Sequence, residues 1–213
     1  MHSDITGYAW WNPFSWSNTT KLIVGVAIIA ALGIATVLTG GAAAGAAGFI
    51  LSGAFQGALI GGLAGSVSGA VIGGIIGGIT KGSWEGALNG AIDGAATGFM
   101  TSAFFGGIGG AVSRTSILSK WDRGTFNSKF ASMKNHYGRH GIQSGSNWWG
   151  NGMSNYTKDA VGFMTRNGSS FSMVRGGEGL QNAWTLGERF GSGMNGLYTS
   201  AGRIISFNYW YVF

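Results

Sequence analysis

Between Lys21 and Lys81 the chain carries no charged side chain, and Ile, Leu, Val and Phe are interleaved there with glycine and alanine. The glycines keep a four-residue step: Gly53, Gly57, Gly61, Gly65, Gly69, Gly73 and Gly77, then, after one slip, Gly82, Gly86, Gly90, Gly94 and Gly98. Such a step lies along one face of a helix. Leu22 to Thr39 is an uncharged run of 18 residues, just inside the roughly 17–25 that a membrane-spanning helix needs. Gly40 and Gly41 break it, and Gly48 to Thr80 is expected to form a second, longer hairpin. From Gly82 to Gly98 each of Glu85, Asn89, Asp93 and Thr97 stands three residues after a glycine, so a polar stripe runs beside the glycine stripe.

After Gly110 the pattern changes, and Ser113 to Gly124 reads as a polar boundary. From Thr125 to Arg139, Phe126, Phe130, Met133 and Tyr137 recur at helical spacing. Gly141 is a natural stop, with Arg139 and His140 in the last turn. A Gly/Asn/Ser-rich loop reaches Met153, and Ser154 to Thr165 predicts a second short helix. Strand-like runs follow at Phe171 to Val174, Ala183 to Leu186, Leu197 to Tyr198 and Arg203 to Phe213. Helices first and strands afterwards predict a small α+β domain with two N-terminal helices and a short antiparallel sheet.

Glycine supplies 25 of the 89 residues from Leu22 to Gly110. In water each costs about 0.8–1.0 kcal/mol relative to alanine inside a helix. In a bilayer the backbone must close its hydrogen bonds within the segment, and a small residue at every fourth position lets two helices approach closely. The block therefore reads as membrane-active glycine-zipper hairpins. Two alternatives stay open, a flexible Gly/Ala spacer and a buried water-soluble helical pair; a spacer would carry more Ser and polar residues than this block does.

Charge divides the chain. Residues 1–112 carry two Lys against three acids, a net of 2 − 3 = −1, and residues 113–213 eleven Lys/Arg against four, a net of 11 − 4 = +7. The basic part suits a polyanion such as nucleic acid or an anionic membrane. The division predicts an aromatic leader at 1–21, a hydrophobic translocation region at 22–112 and a basic domain at 113–213. With no cysteine, neither a disulfide framework nor a thiolate metal site is available. The first 20 residues are aromatic and polar, with Trp10, Trp11 and Trp16, and lack the basic and apolar regions of a secretory signal. Export would thus depend on an upstream or separate carrier.

His136 and His140, at i and i+4, share one helix face. Three readings compete: a zinc pair, for which no HExxH, cysteine or nearby acid completes the shell; a structural pair at a helix end; and acid/base catalysis, which the last helix turn would assist by favouring the protonated imidazole. Lys129, Lys134, Arg139 and Arg123 surround the pair with phosphate-binding charge.

Trp11-Asn12-Pro13-Phe14-Ser15-Trp16, Thr20-Lys21-Leu22-Ile23-Val24 and the Gly/Ala block through Gly98-Phe99-Met100 resemble the pre-toxin region of RHS-repeat and WapA-like polymorphic toxins. His136-Tyr137-Gly138-Arg139-His140-Gly141, Tyr156-Thr157-Lys158-Asp159-Ala160, Asn195-Gly196-Leu197-Tyr198 and Gly202-Arg203-Ile204-Ile205-Ser206-Phe207 resemble the small ribonuclease toxins of the barnase, EndoU, colicin and RelE-like group. The resemblance implies a secreted toxin of bacterial competition, delivered into the target-cell cytoplasm through transient membrane association of residues 22–110. Its payload would cleave RNA, tRNA among the candidates, without metal or other cofactor. His140 matches the histidine of the family's HxxKHG-type motif, with His136 beside it, and Ser206 matches the hydroxyl of the closing strand. The family often has Phe-Phe-Lys after that hydroxyl, whereas here Phe207-Asn208-Tyr209-Trp210 follows, leaving Arg203 or Arg175 to supply the charge.

On this reading the catalytic set is His140, His136, Arg203, Ser206 and Tyr198, and the RNA-binding set is Lys134, Arg139, Lys158, Arg175, Trp148 and Trp149. Arginine would hold the phosphate bidentately and the tryptophans would stack unpaired bases. A cognate immunity protein with an acidic face is the expected partner. A different class of function is a pore-forming toxin in which the glycine block kills and the C-terminal domain is a binding module. An ADP-ribosyltransferase lacks its usual Glu-x-Glu, because Glu178 and Glu188 are the only glutamates after residue 112.

Overall fold

The structure is a computed structural model that describes residues 12–39, 45–141, 152–166, 172–174, 183–187, 194–199 and 201–209. Among these residues are five α-helices: α1 (Asn18–Leu38), α2 (Ala46–Lys81), α3 (Trp84–Ser119), α4 (Lys129–His136) and α5 (Gly152–Arg166). Four strands follow, β1 (Ser172–Val174), β2 (Ala183–Gly187), β3 (Met194–Thr199) and β4 (Ile204–Tyr209), paired antiparallel in the order β1-β2-β3-β4. The fold is α+β and mostly helical. By Cα proximity it forms two compact units, 1–39 with 50–112 and 40–49 with 113–213.

In the first unit the starts of α1 and α3 and the end of α2 each have their own chemistry. The Asn12 side chain accepts from Phe14 N at 3.2 Å ahead of a 3-10 turn, Pro13–Ser15, and Ser17 Oγ accepts from Thr20 N at 3.1 Å to cap α1. Gly82, at φ +60°, donates to Gly78 O at 2.9 Å and ends α2. Ser83 Oγ then accepts from Gly86 N at 3.1 Å and starts α3. This two-residue reversal corrects the sequence expectation of a hairpin within Gly48 to Thr80: residues 46–81 form one helix of 36 residues. Glycine lowers helix propensity there without breaking the hydrogen-bond ladder, and no proline interrupts it.

The four-residue glycine rows of α2 and α3 face each other. A Cβ added at Gly57, Gly69, Gly73 or Gly77 would come closer than 3.0 Å to the carbonyl oxygen of Gly106, Gly94, Gly90 or Gly86 respectively. Backbone therefore packs on backbone, and the large apolar side chains are turned outward. Ile60, Val67, Ile72, Ile75, Ile76 and Ile79 of α2 are all more than half exposed.

A polar clasp joins α1 to α3. Lys21 Nζ, in a side chain only 2% exposed, donates to Asp93 Oδ1 at 2.7 Å and Thr97 Oγ1 at 2.8 Å. Asp93→Ala is expected to leave a buried ammonium short of an acceptor and to lower stability in detergent micelles by about 1–3 kcal/mol. Adding Lys21→Met should recover part of the loss; thermal melts of the single and double variants test this, and an additive result would deny the coupling.

The second unit closes around Phe49, Ile117, Trp121, Phe130, Met133, Tyr156, Phe163, Tyr198, Ile204 and Phe207. Trp121, fully buried, donates from Nε1 to Thr157 Oγ1 at 2.8 Å, and its neighbours bridge to β4: Asp122 N to Ile204 O and Ile204 N to Lys120 O, both 2.8 Å. The break between the two units falls at Val112/Ser113, where the polar stretch begins, but no loop marks it: α3 continues to Ser119, and Ile117, with Trp121 just past the helix end, belongs to the core of the second unit. The α4 helix also begins later than expected, at Lys129, where Ser128 Oγ accepts from Ala131 N at 3.1 Å.

Candidate active site

Phe130 and Met133 anchor α4 in the core, and three residues on, in the last turn, stands His136. The chain then tightens into a π-helical turn, Tyr137–Gly141, that carries Arg139 and His140. β4 runs beside this end of α4 and brings Ser206, a residue 70 positions away, to the histidine: Ser206 Oγ lies 3.2 Å from His136 Nδ1. The imidazole of His136 stacks on Trp121 (centroids 6.0 Å, 18° between planes) and on His140 (6.2 Å, 20°), and meets Phe126 edge-on at 5.7 Å.

These surroundings decide the charge. Burial, then the neighbouring His140 and Arg139, push His136 down to about 4. Burial and Arg139 also push His140 below the usual imidazole range. Both rings are neutral at pH 7, so the expectation that the helix end would favour the protonated form is reversed: desolvation and a nearby guanidinium outweigh the partial charge of a helix terminus. A neutral imidazole offers one N–H and one acceptor nitrogen. Facing a half-buried hydroxyl, it can take or return a proton.

His136, His140 and Ser206 are brought together, with Arg139 near enough to act on both rings. Lys134 and Arg139 are exposed on the same stretch, and Lys158 is exposed on α5. Arg203 is exposed in the β3–β4 turn, its backbone N–H donating to Thr199 Oγ1 at 3.0 Å. Tyr198 is fully buried and donates to Ala160 O at 2.8 Å, and burial drives its phenol pKa upward. The hydroxyl thus ties β3 to α5. Tyr198→Phe should accordingly cost about 0.5–1.5 kcal/mol of stability, the worth of one net hydrogen bond, read as a lower thermal midpoint. Trp148, Trp149 and Arg175 lie outside the described residues.

Trp121 and Phe126 were not among the sequence-derived site residues. Phe126 does appear in the apolar stripe at helical spacing, and Trp121 follows Ile117 by four. The missing signal was β4, which places the tryptophan beside the histidine through its bridge at Ile204.

No protein-family model matches the chain, and no curated protein or solved structure matches it significantly.

Proposed function

We propose that this chain is a secreted toxin of bacterial antagonism, in which a glycine-zipper hairpin enters the target-cell membrane and the basic C-terminal unit cleaves RNA in the cytoplasm beyond it. The observation that carries the reading is the inverted packing of the hairpin, with glycine inside and isoleucine and valine outside. Water opposes such a surface, because each exposed isoleucine forgoes about 1.5–3 kcal/mol of burial. Hydrocarbon accepts it, since the helices close their own backbone hydrogen bonds and the outward side chains meet lipid. By length and composition α1, α2 and α3 are each sufficient to cross a membrane. The 21 residues of α1 span about 31 Å at 1.5 Å per residue, close to the roughly 30 Å hydrocarbon core.

In the basic unit, neutral His136, with Ser206 as its hydroxyl partner, takes the proton of the RNA 2′-hydroxyl as that oxygen attacks phosphorus, and the imidazolium so formed returns the proton, directly or through the stacked ring of His140, to the departing 5′-oxygen as the P–O5′ bond breaks. Arg139, Lys134 and Arg203 supply positive charge for the phosphate. A cognate immunity protein with an acidic face would neutralise this surface, and a carrier would deliver the chain. The exposed faces of α1–α3 also favour a second reading, in which the helices kill by opening a pore and the basic unit binds a partner.

The test is to mix the full chain with total bacterial RNA and EDTA, and separately with dye-loaded vesicles. Discrete RNA fragments, absent with His136→Ala, support the ribonuclease. Dye release with intact RNA favours the pore.

A further inference from the structure

Within the first unit, Phe14 and Trp16 from the N-terminal turn, Val24 and Ile28 from α1, and Phe104 and Phe105 from α3 surround a cavity of about 300 Å³ that opens to the surface. Its wall is wholly apolar. Thr101, which also lines it, spends its hydroxyl on Thr97 O at 2.8 Å. A ligand with polar groups would find nothing here to orient it, and water would find too few partners to be held. Featureless hydrocarbon is what the wall suits.

We propose that this groove holds one acyl chain of a membrane phospholipid. The inference rests on the membrane reading above. Three observations choose the occupant. The rim is continuous with outward apolar surface, for Phe14, Phe104 and Phe105 are 64%, 51% and 68% exposed. The groove begins at the polar start of α1, where Ser17 caps the helix and Trp16 lines its mouth, the kind of side chain enriched between headgroups and hydrocarbon. It then continues along α1 past Val24 to Ile28, toward the apolar middle of the helix. A slot that starts at an aromatic interface and runs into an apolar wall follows the path of a lipid tail.

The experiment reconstitutes the full chain in phosphatidylcholine vesicles containing a phospholipid with a diazirine on its acyl chain. After irradiation the labelled positions are mapped by peptide mass spectrometry. The groove residues are expected to be labelled about tenfold more than Ile72, Ile75 and Ile79 of α2, a preference equal to ~1.4 kcal/mol. Val24→Trp, which fills the slot, should remove that excess and leave α2 labelling unchanged. If that variant does not fold, Ile28→Phe narrows the slot with a smaller change. Even labelling over α1, α2 and α3 overturns the inference, as does a groove left unlabelled because residues 1–11 or a second copy cover it. A chain that does not float with the vesicles and takes no label anywhere overturns the membrane reading instead.

Discussion

Gly73→Val is expected to separate α2 from α3 and to abolish any action of the chain on vesicles. A Cβ at this position meets the Gly90 carbonyl oxygen at less than 3.0 Å, and the atoms behind it are the backbone of Gly90 and Gly94. A flexible side chain would swing aside; backbone cannot. The helices must therefore part, and because Gly69 and Gly77 make the same contact one turn away on either side, the neighbouring contacts open with it. Overpacking of this kind costs about 1–3 kcal/mol or more at a single site. Gly109 is the matched control. Nothing lies within 4 Å of a Cβ added there, so Gly109→Ala should keep the hairpin and gain up to about 1 kcal/mol of helix propensity. Thermal melts in micelles and dye release from vesicles read both variants. Equal behaviour of the two would mean that close approach of the glycine faces does not hold the hairpin.

The second large effect is at His136. On the ribonuclease reading, His136→Ala should lower the rate of RNA cleavage by about 10²–10⁴, the usual contribution of a positioned acid or base. Because burial, His140 and Arg139 hold the ring near 4, the wild-type rate should persist through mildly acidic pH and fall only as pH approaches 4. An unperturbed histidine would lose activity near its ordinary value of about 6.5. Stability carries the same signature. Below about 6.5 the unfolded chain takes up a proton that folded His136 refuses, so the contribution of this residue to stability falls as pH drops from about 6.5 toward 4 and is unaffected above that window. A cleavage profile with its acid limb near 6.5 would assign the chemistry to another group.

The helical faces were legible because their signal is local. The glycine step needs only the neighbouring turns to be recognised, and the uncharged run at Leu22 to Thr39 begins four residues after the start of α1 and ends one residue past its end. The α+β order of the basic half followed from periodicities of 3.6 and 2. What stayed hidden depends on partners far along the chain. Spacing placed His136 and His140 on one face, yet it could not say which of them faces a hydroxyl, since Ser206 arrives from β4 only after β3 and β4 pair. Nor could spacing show that Tyr198, placed in the catalytic set by the resemblance, is covered by α5 and gives its hydroxyl to Ala160 O. Within Ser113 to Gly124, exposed polar residues on the last turn of α3 hid two core residues, Ile117 and, just past the helix end, Trp121.

The facing glycine rows repeat every four residues on both helices, so sliding one helix past the other by one such step, about 6 Å along the axis, would bring glycine back opposite glycine along most of their length. The rows thus act as a vernier with several equivalent settings and do not by themselves choose one. Register is selected elsewhere: by the short reversal at Gly82 and Ser83, by Ser102 standing where the α3 row would have had a glycine, and by the Lys21 clasp on Asp93. Loosen those three, and the hairpin becomes a ratchet with a step of about one helical turn.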